Sequence, residues 1–96
     1  MEIIGRYFKA KVSFNLVSYI AISQDIIGLF TYREKWGNTY YYHWRIVSIP
    51  DKSDFYSKHS RILGDSFNWN YKAIKKRLKN DELKFLTKEE VLVEIL

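Results

Sequence analysis

The sequence predicts an α+β domain: a four-stranded, mainly antiparallel sheet over residues 3 to 49, an irregular loop to about residue 66, and one or two carboxyl-terminal helices packed on one face. Three observations carry that expectation. Ile4 to Phe14 alternates apolar and polar residues, Ile26 to Ile49 sets two β-branched and aromatic runs around Gly37-Asn38, and Asn68 to Asn80 spaces its apolar residues as a helix does.

In the first segment Phe8, Ala10, Val12 and Phe14 alternate with Tyr7, Lys9, Lys11 and Ser13, the period-two pattern of a strand with one face on a core. Asn15 interrupts it. Val17 to Ser23 then resumes a β-branched run that reads as a second strand, although Leu16 to Ser23 also suits a short helix capped by Asn15. Gln24-Asp25 is the expected turn into a β-hairpin whose loop is centred on Gly37-Asn38. Uninterrupted pairing of the arms sets Tyr32 opposite His43 and Phe30 opposite Arg45 on one face, with Thr31 opposite Trp44 and Leu29 opposite Ile46 on the other.

Pro50 ends the fourth strand, because it has no N–H for a ladder and biases Ile49 toward an extended end. Asp51 to Ser66 is polar and irregular, with a turn at Gly64-Asp65. Asn68 to Asn80 reads as a helix with Tyr71, Ile74 and Leu78 along a narrow apolar stripe and Lys72, Lys75, Lys76, Arg77 and Lys79 over the rest. After a short apolar segment, Leu83 to Leu86, the run Thr87-Lys88-Glu89-Glu90 is a capping box that opens a final helix. The alternation of Val91, Val93 and Ile95 leaves a terminal strand over Val91 to Leu96 as the competing reading.

Ninety-six residues suffice for one core and not for two, so residues 1–96 are expected to form a single domain. The absence of cysteine rules out disulfides and thiolate zinc sites and favours a reducing, intracellular setting. No run approaches the ~18 apolar residues of a membrane span, and MEIIGRYFKAK lacks a signal-peptide core, so a soluble cytoplasmic protein is expected, in the host cytoplasm if phage-encoded. The net charge of +5 favours acidic partners, but the abundance of Ile, Lys, Asn, Tyr and Phe is also what an AT-rich genome imposes.

No metal, cofactor or catalytic site is expected. His43 and His59 are the only histidines, and neither has a His or carboxylate at the spacing of a helical metal site. Pro50-Asp51 and Glu82-Leu83-Lys84 spell the letters of the PD-(D/E)xK nucleases, in which two carboxylates hold magnesium. A helix expected between the two elements argues against that match. His43 with Arg45 and Tyr32 could form an acid–base pocket, but a strand histidine beside a tyrosine is more often structural.

Two binding surfaces remain. Tyr32, Tyr41, His43 and Arg45, flanked by Phe55 and Tyr56, gather the rings and guanidinium that protein interfaces favour at their centres. Lys72, Lys75, Lys76 and Lys79 offer contacts to nucleic-acid phosphates, with Tyr40 to Tyr42, Trp44 and Trp69 as rings for stacking bases. In size and composition the chain resembles many small phage or mobile-element proteins. The expectation is therefore a non-catalytic inhibitor or accessory factor, of the host-defence-inhibitor class, that docks on a protein or nucleoprotein complex. A nucleic-acid-binding accessory protein is the alternative and a small magnesium-dependent nuclease the third reading.

Overall fold

The structure is a computed structural model that describes residues 2–17, 20–49 and 66–95. Its elements are β1 (Tyr7–Val17), β2 (Ile20–Trp36), β3 (Thr39–Ser48), β4 (Ser66–Asn70), α1 (Tyr71–Lys79), β5 (Leu83–Leu86) and α2 (Lys88–Ile95). The strands form one sheet in the order β4-β3-β2-β1-β5, with every pairing antiparallel.

The sheet has five strands where the sequence suggested four. The expected second strand and the first hairpin arm are one 17-residue strand, β2. Gln24 and Asp25 do not turn the chain; they stand in the ladder opposite Val12 and Lys11. Pairing with the long β1 runs from Ile20 to Leu29, and Asp25 gains Lys11 across the strand, so the ladder outweighs local turn preference. The helical alternative for Leu16 to Ser23 fails at its described residues for the same reason: Asn15 and Val17 are paired with Ala21 and Ile20, while residues 18 and 19 lie outside the described residues.

Two short strands complete the sheet. Ser66–Asn70 pairs with β3, so α1 begins at Tyr71 and not at Asn68. Trp69 faces Tyr42 and Phe67 faces Trp44 across that ladder. Asn70, with φ −76° and ψ 164°, is the N-cap: its side-chain oxygen accepts from Ala73 N at 2.7 Å. Leu83–Leu86, which the sequence marks only as an apolar segment, pairs with β1 at the other edge.

Residue 87 opens a helix as expected. Glu90 N donates to Thr87 Oγ1 and Thr87 N to Glu90 Oε1, both at 3.1 Å, the reciprocal pair of a capping box. Residues 88–95 are helical, which overturns the terminal-strand reading.

The two helices lie on opposite faces of the sheet, not on one. Ile74 of α1 belongs to the main core with Phe8, Ala10, Val12, Ile26, Phe30, Trp44 and Leu83. Val91 of α2 packs instead with Ile27, Leu86 and Tyr7. Tyr7 and Phe8, like Ile26 and Ile27, are sequence neighbours and so point to opposite sides of the pleat. Burial of Ile27 shows that both faces of β2 carry core there, and each requires its own helix.

The main core is aromatic. The Phe8 ring lies 4.5 Å from Phe30, 5.5 Å from Trp44 and 5.6 Å from Trp69. It crosses the β1–β2 ladder over Gly28, where any Cβ would overlap it. Trp44 Nε1 is buried in this cluster with no hydrogen-bond partner among the described residues.

The hairpin turn is a two-residue loop with Trp36 paired to Thr39. Gly37 has φ 61° and Asn38 is not among the described residues of positive φ, which is the type II′ arrangement. Beyond it the register departs from uninterrupted pairing. Tyr32 does face His43, but the expected Phe30–Arg45, Thr31–Trp44 and Leu29–Ile46 pairs are replaced by Phe30–Trp44, Leu29–Arg45 and Gly28–Ile46. A β-bulge at Thr31 causes the shift, and the Thr31 hydroxyl donates to the His43 carbonyl at 3.2 Å. In a regular strand Phe30 and Tyr32 would share a face. The bulge separates them: Phe30 is fully buried and Tyr32 half exposed.

Candidate binding surfaces

The bulge leaves Tyr32, Glu34 and Trp36 of β2 on the outer face, opposite Tyr41 and His43 of β3. Arg45 follows two residues on and is exposed. Four of the residues expected to form a binding face, Tyr32, Tyr41, His43 and Arg45, are therefore together. Phe55 and Tyr56 lie outside the described residues.

This face is internally tied. The Tyr32 and His43 rings stack with centroids 4.1 Å apart and an interplanar angle of 9°. His43 Nε2 lies 3.0 Å from Glu34 Oε2, and the Trp36 side chain also hydrogen-bonds that carboxylate. Trp36 sits 5.5 Å from the Tyr41 ring. The Trp36 hydrogen bond, with a smaller contribution from His43 and against some desolvation, holds the Glu34 carboxyl below its ordinary value of 4.5. Yet Trp36 is 60% and Tyr32 50% exposed. Sequence reading missed Trp36 and Glu34, although both continue the alternation that begins at Tyr32.

The helix lysines are placed as expected. Lys72, Lys75, Lys76 and Lys79 are all exposed, and their i, i+3, i+4, i+7 spacing gathers them on one side of α1, away from buried Ile74. Arg77 is engaged elsewhere, with its guanidinium 4.3 Å over Trp69 and Nη1 donating to the Lys11 carbonyl at 3.5 Å. Lys9 is paired with Glu94 at 3.3 Å.

The rings expected to stack bases divide. Trp44 is buried, Trp69 lies under Arg77, and Tyr41 belongs to the outer face. Tyr40 and Tyr42 meet Tyr71 in a cleft of about 580 Å³ beside the hairpin turn, lined also by Asn38, Asn70 and Lys72. Arg33 and Lys35 lie over the Tyr40 ring at 4.6 and 5.6 Å, and Lys75 over Tyr71 at 5.5 Å. Tyr71 was read from sequence only as part of the apolar stripe.

For the nuclease letters, Asp51 lies outside the described residues, as does His59. Glu82 is exposed at the end of the α1–β5 turn, and Lys84 Nζ is 3.7 Å from Glu90. Among the described residues no three His, Asp or Glu side chains are placed to hold a metal ion. No helix among them is long and apolar enough to cross a membrane.

No protein-family model matches the chain, and comparison with curated proteins and with solved structures likewise gives no match.

Proposed function

We propose that this is a non-catalytic binding protein, an inhibitor or accessory factor acting in the cytoplasm, that docks on a protein or nucleoprotein complex through the outer face of the β2–β3 hairpin. The observation that supports this most is the tied ring cluster: Trp36 and Tyr32 are well exposed, yet the Glu34–His43 pair and the Tyr32–His43 stack already fix its geometry. Large rings lose little freedom on binding, and rings held in advance lose less. Glu34 is matched by His43, and Arg45 supplies a directional donor at the edge, the composition that protein interfaces favour.

The test is affinity capture from cells expressing the tagged chain, with and without nuclease treatment. A protein retained by wild type after nuclease and lost by a Tyr32→Ala/Trp36→Ala chain that still folds supports the reading. Equal capture by both chains overturns it.

A second reading is contact with nucleic acid through α1, favoured by the four exposed lysines on one side of a helix that has no acidic residue. Its mark is affinity that falls steeply as salt rises, because each phosphate contact releases counterions.

A further inference from the structure

The cleft beside the hairpin turn differs in chemistry from the outer face. Tyr40 and Tyr42 come from β3 and Tyr71 from the first residue of α1, so sheet and helix build its walls jointly. Tyr42 is 8% exposed. The Tyr42 and Tyr71 rings are 6.1 Å apart. Cations stand on both sides: Arg33 and Lys35 over Tyr40, Lys72 in the wall, and Lys75 over Tyr71.

Among the described residues no acidic side chain lines the cleft. Glu34, the only acidic residue between Ile26 and Ile49, is turned to the opposite face with His43. Among the described residues no carboxylate pairs with these cations, and they hold positions over ring faces that a planar ligand could share. A volume of about 580 Å³ is within the ordinary range for a small-molecule-sized group.

We infer that this cleft binds an unpaired nucleotide of a single-stranded nucleic acid. The base stacks on Tyr40 or Tyr71, the Tyr42 hydroxyl and the Asn38 amide meet its edge, and the flanking phosphates lie on Arg33 and Lys35 at one side and on Lys72 and Lys75 at the other. Stacking platforms beside a basic track are the general means of holding single strands, since every base offers a π-face and the backbone offers charge. A duplex keeps its bases stacked on each other and could use the lysines but not the cleft. The inference rests on the reading that nucleic acid is a ligand, and it adds a site and a preference for single strands that the α1 lysines alone do not imply.

The experiment is fluorescence anisotropy of the full chain with a labelled oligodeoxythymidylate of about 12 nucleotides and with a duplex of equal length, at low and physiological salt. The single strand is expected to bind more tightly than the duplex. Tyr40→Ala and Tyr71→Ala, both at exposed rings, should each weaken it about tenfold or more without lowering the melting temperature. Tyr42→Phe, which keeps the ring, should weaken it less. Arg33→Ala and Lys72→Ala should flatten the salt dependence, and Lys76→Ala and Lys79→Ala, further along α1, should change it less.

Duplex binding as tight as single-strand binding, untouched by the tyrosine substitutions, would overturn the cleft while leaving the helix reading standing. Displacement of the oligonucleotide by polyglutamate at equal charge concentration would overturn it in favour of an acidic peptide. Failure to bind either nucleic acid at low salt would overturn both readings.

Discussion

Gly28 shows how far a single residue is constrained here. The Phe8 ring occupies the place of its missing side chain and is hemmed in by Phe30, Trp44 and Trp69, so it has nowhere to retreat. Gly28→Ala should therefore destabilise the fold by ~1–3 kcal/mol, despite alanine being the better strand former, as read from chemical denaturation. Glu34 provides a second residue-level prediction. Its carboxyl titrates below 4.5 in the folded chain, so its stabilising effect is complete above that value and is lost as pH falls through the lowered folded value. Wild type should melt above Glu34→Gln near neutral pH, and the gap should close in acid. A gap independent of pH would mean that the carboxylate charge is not what secures the Trp36 and His43 contacts.

At the scale of elements, the turn between α1 and β5 carries a correctable cost. Glu82 N donates to the Arg77 carbonyl at 2.8 Å and Asp81 N to that of Leu78 at 3.3 Å, the bond pattern of a Schellman cap, with Asp81 at φ 58° where glycine is usual. Asp81 is exposed, so Asp81→Gly removes only left-handed strain and should raise stability by about 0.5 kcal/mol, whereas Asp81→Val should lower it by about 1 kcal/mol or more. The elements also separate what local sequence reveals from what it conceals. The alternation of β1, the Gly37-Asn38 turn, and the Thr87–Glu90 cap are settled within a few neighbours and were legible. The bulge at Thr31 was not, because it is decided by competition for one core place between Phe30 and Tyr32, and nothing in residues 30–32 marks an insertion. Ser66–Asn70 and Leu83–Leu86 were missed for a related reason: four- or five-residue strands are stabilised by ladder partners, here β3 and β1, that are distant in sequence.

For the whole molecule, the β2–β3 hairpin supplies both candidate surfaces, with the tied rings on its outer face and the tyrosine–cation cleft on the other. Tyr32, Tyr41, His43 and Arg45 could be grouped from alternation alone. The cleft could not, because Tyr71 joins Tyr40 and Tyr42 only when β4 and α1 fold back against β3. Such two-sidedness suits a factor that seats on a nucleoprotein complex, one face toward protein and the other toward an exposed strand.

The most direct test of docking through the outer face is the dissociation rate of the captured partner from surface-immobilised chain. Tyr32→Ala and Trp36→Ala should each speed dissociation, with a loss of ~2 kcal/mol or more at a true anchor, while Lys75→Glu/Lys76→Glu should mainly slow association and change its salt dependence. Ring variants that dissociate like wild type, together with lysine variants that fail to bind at every salt concentration, would contradict the account.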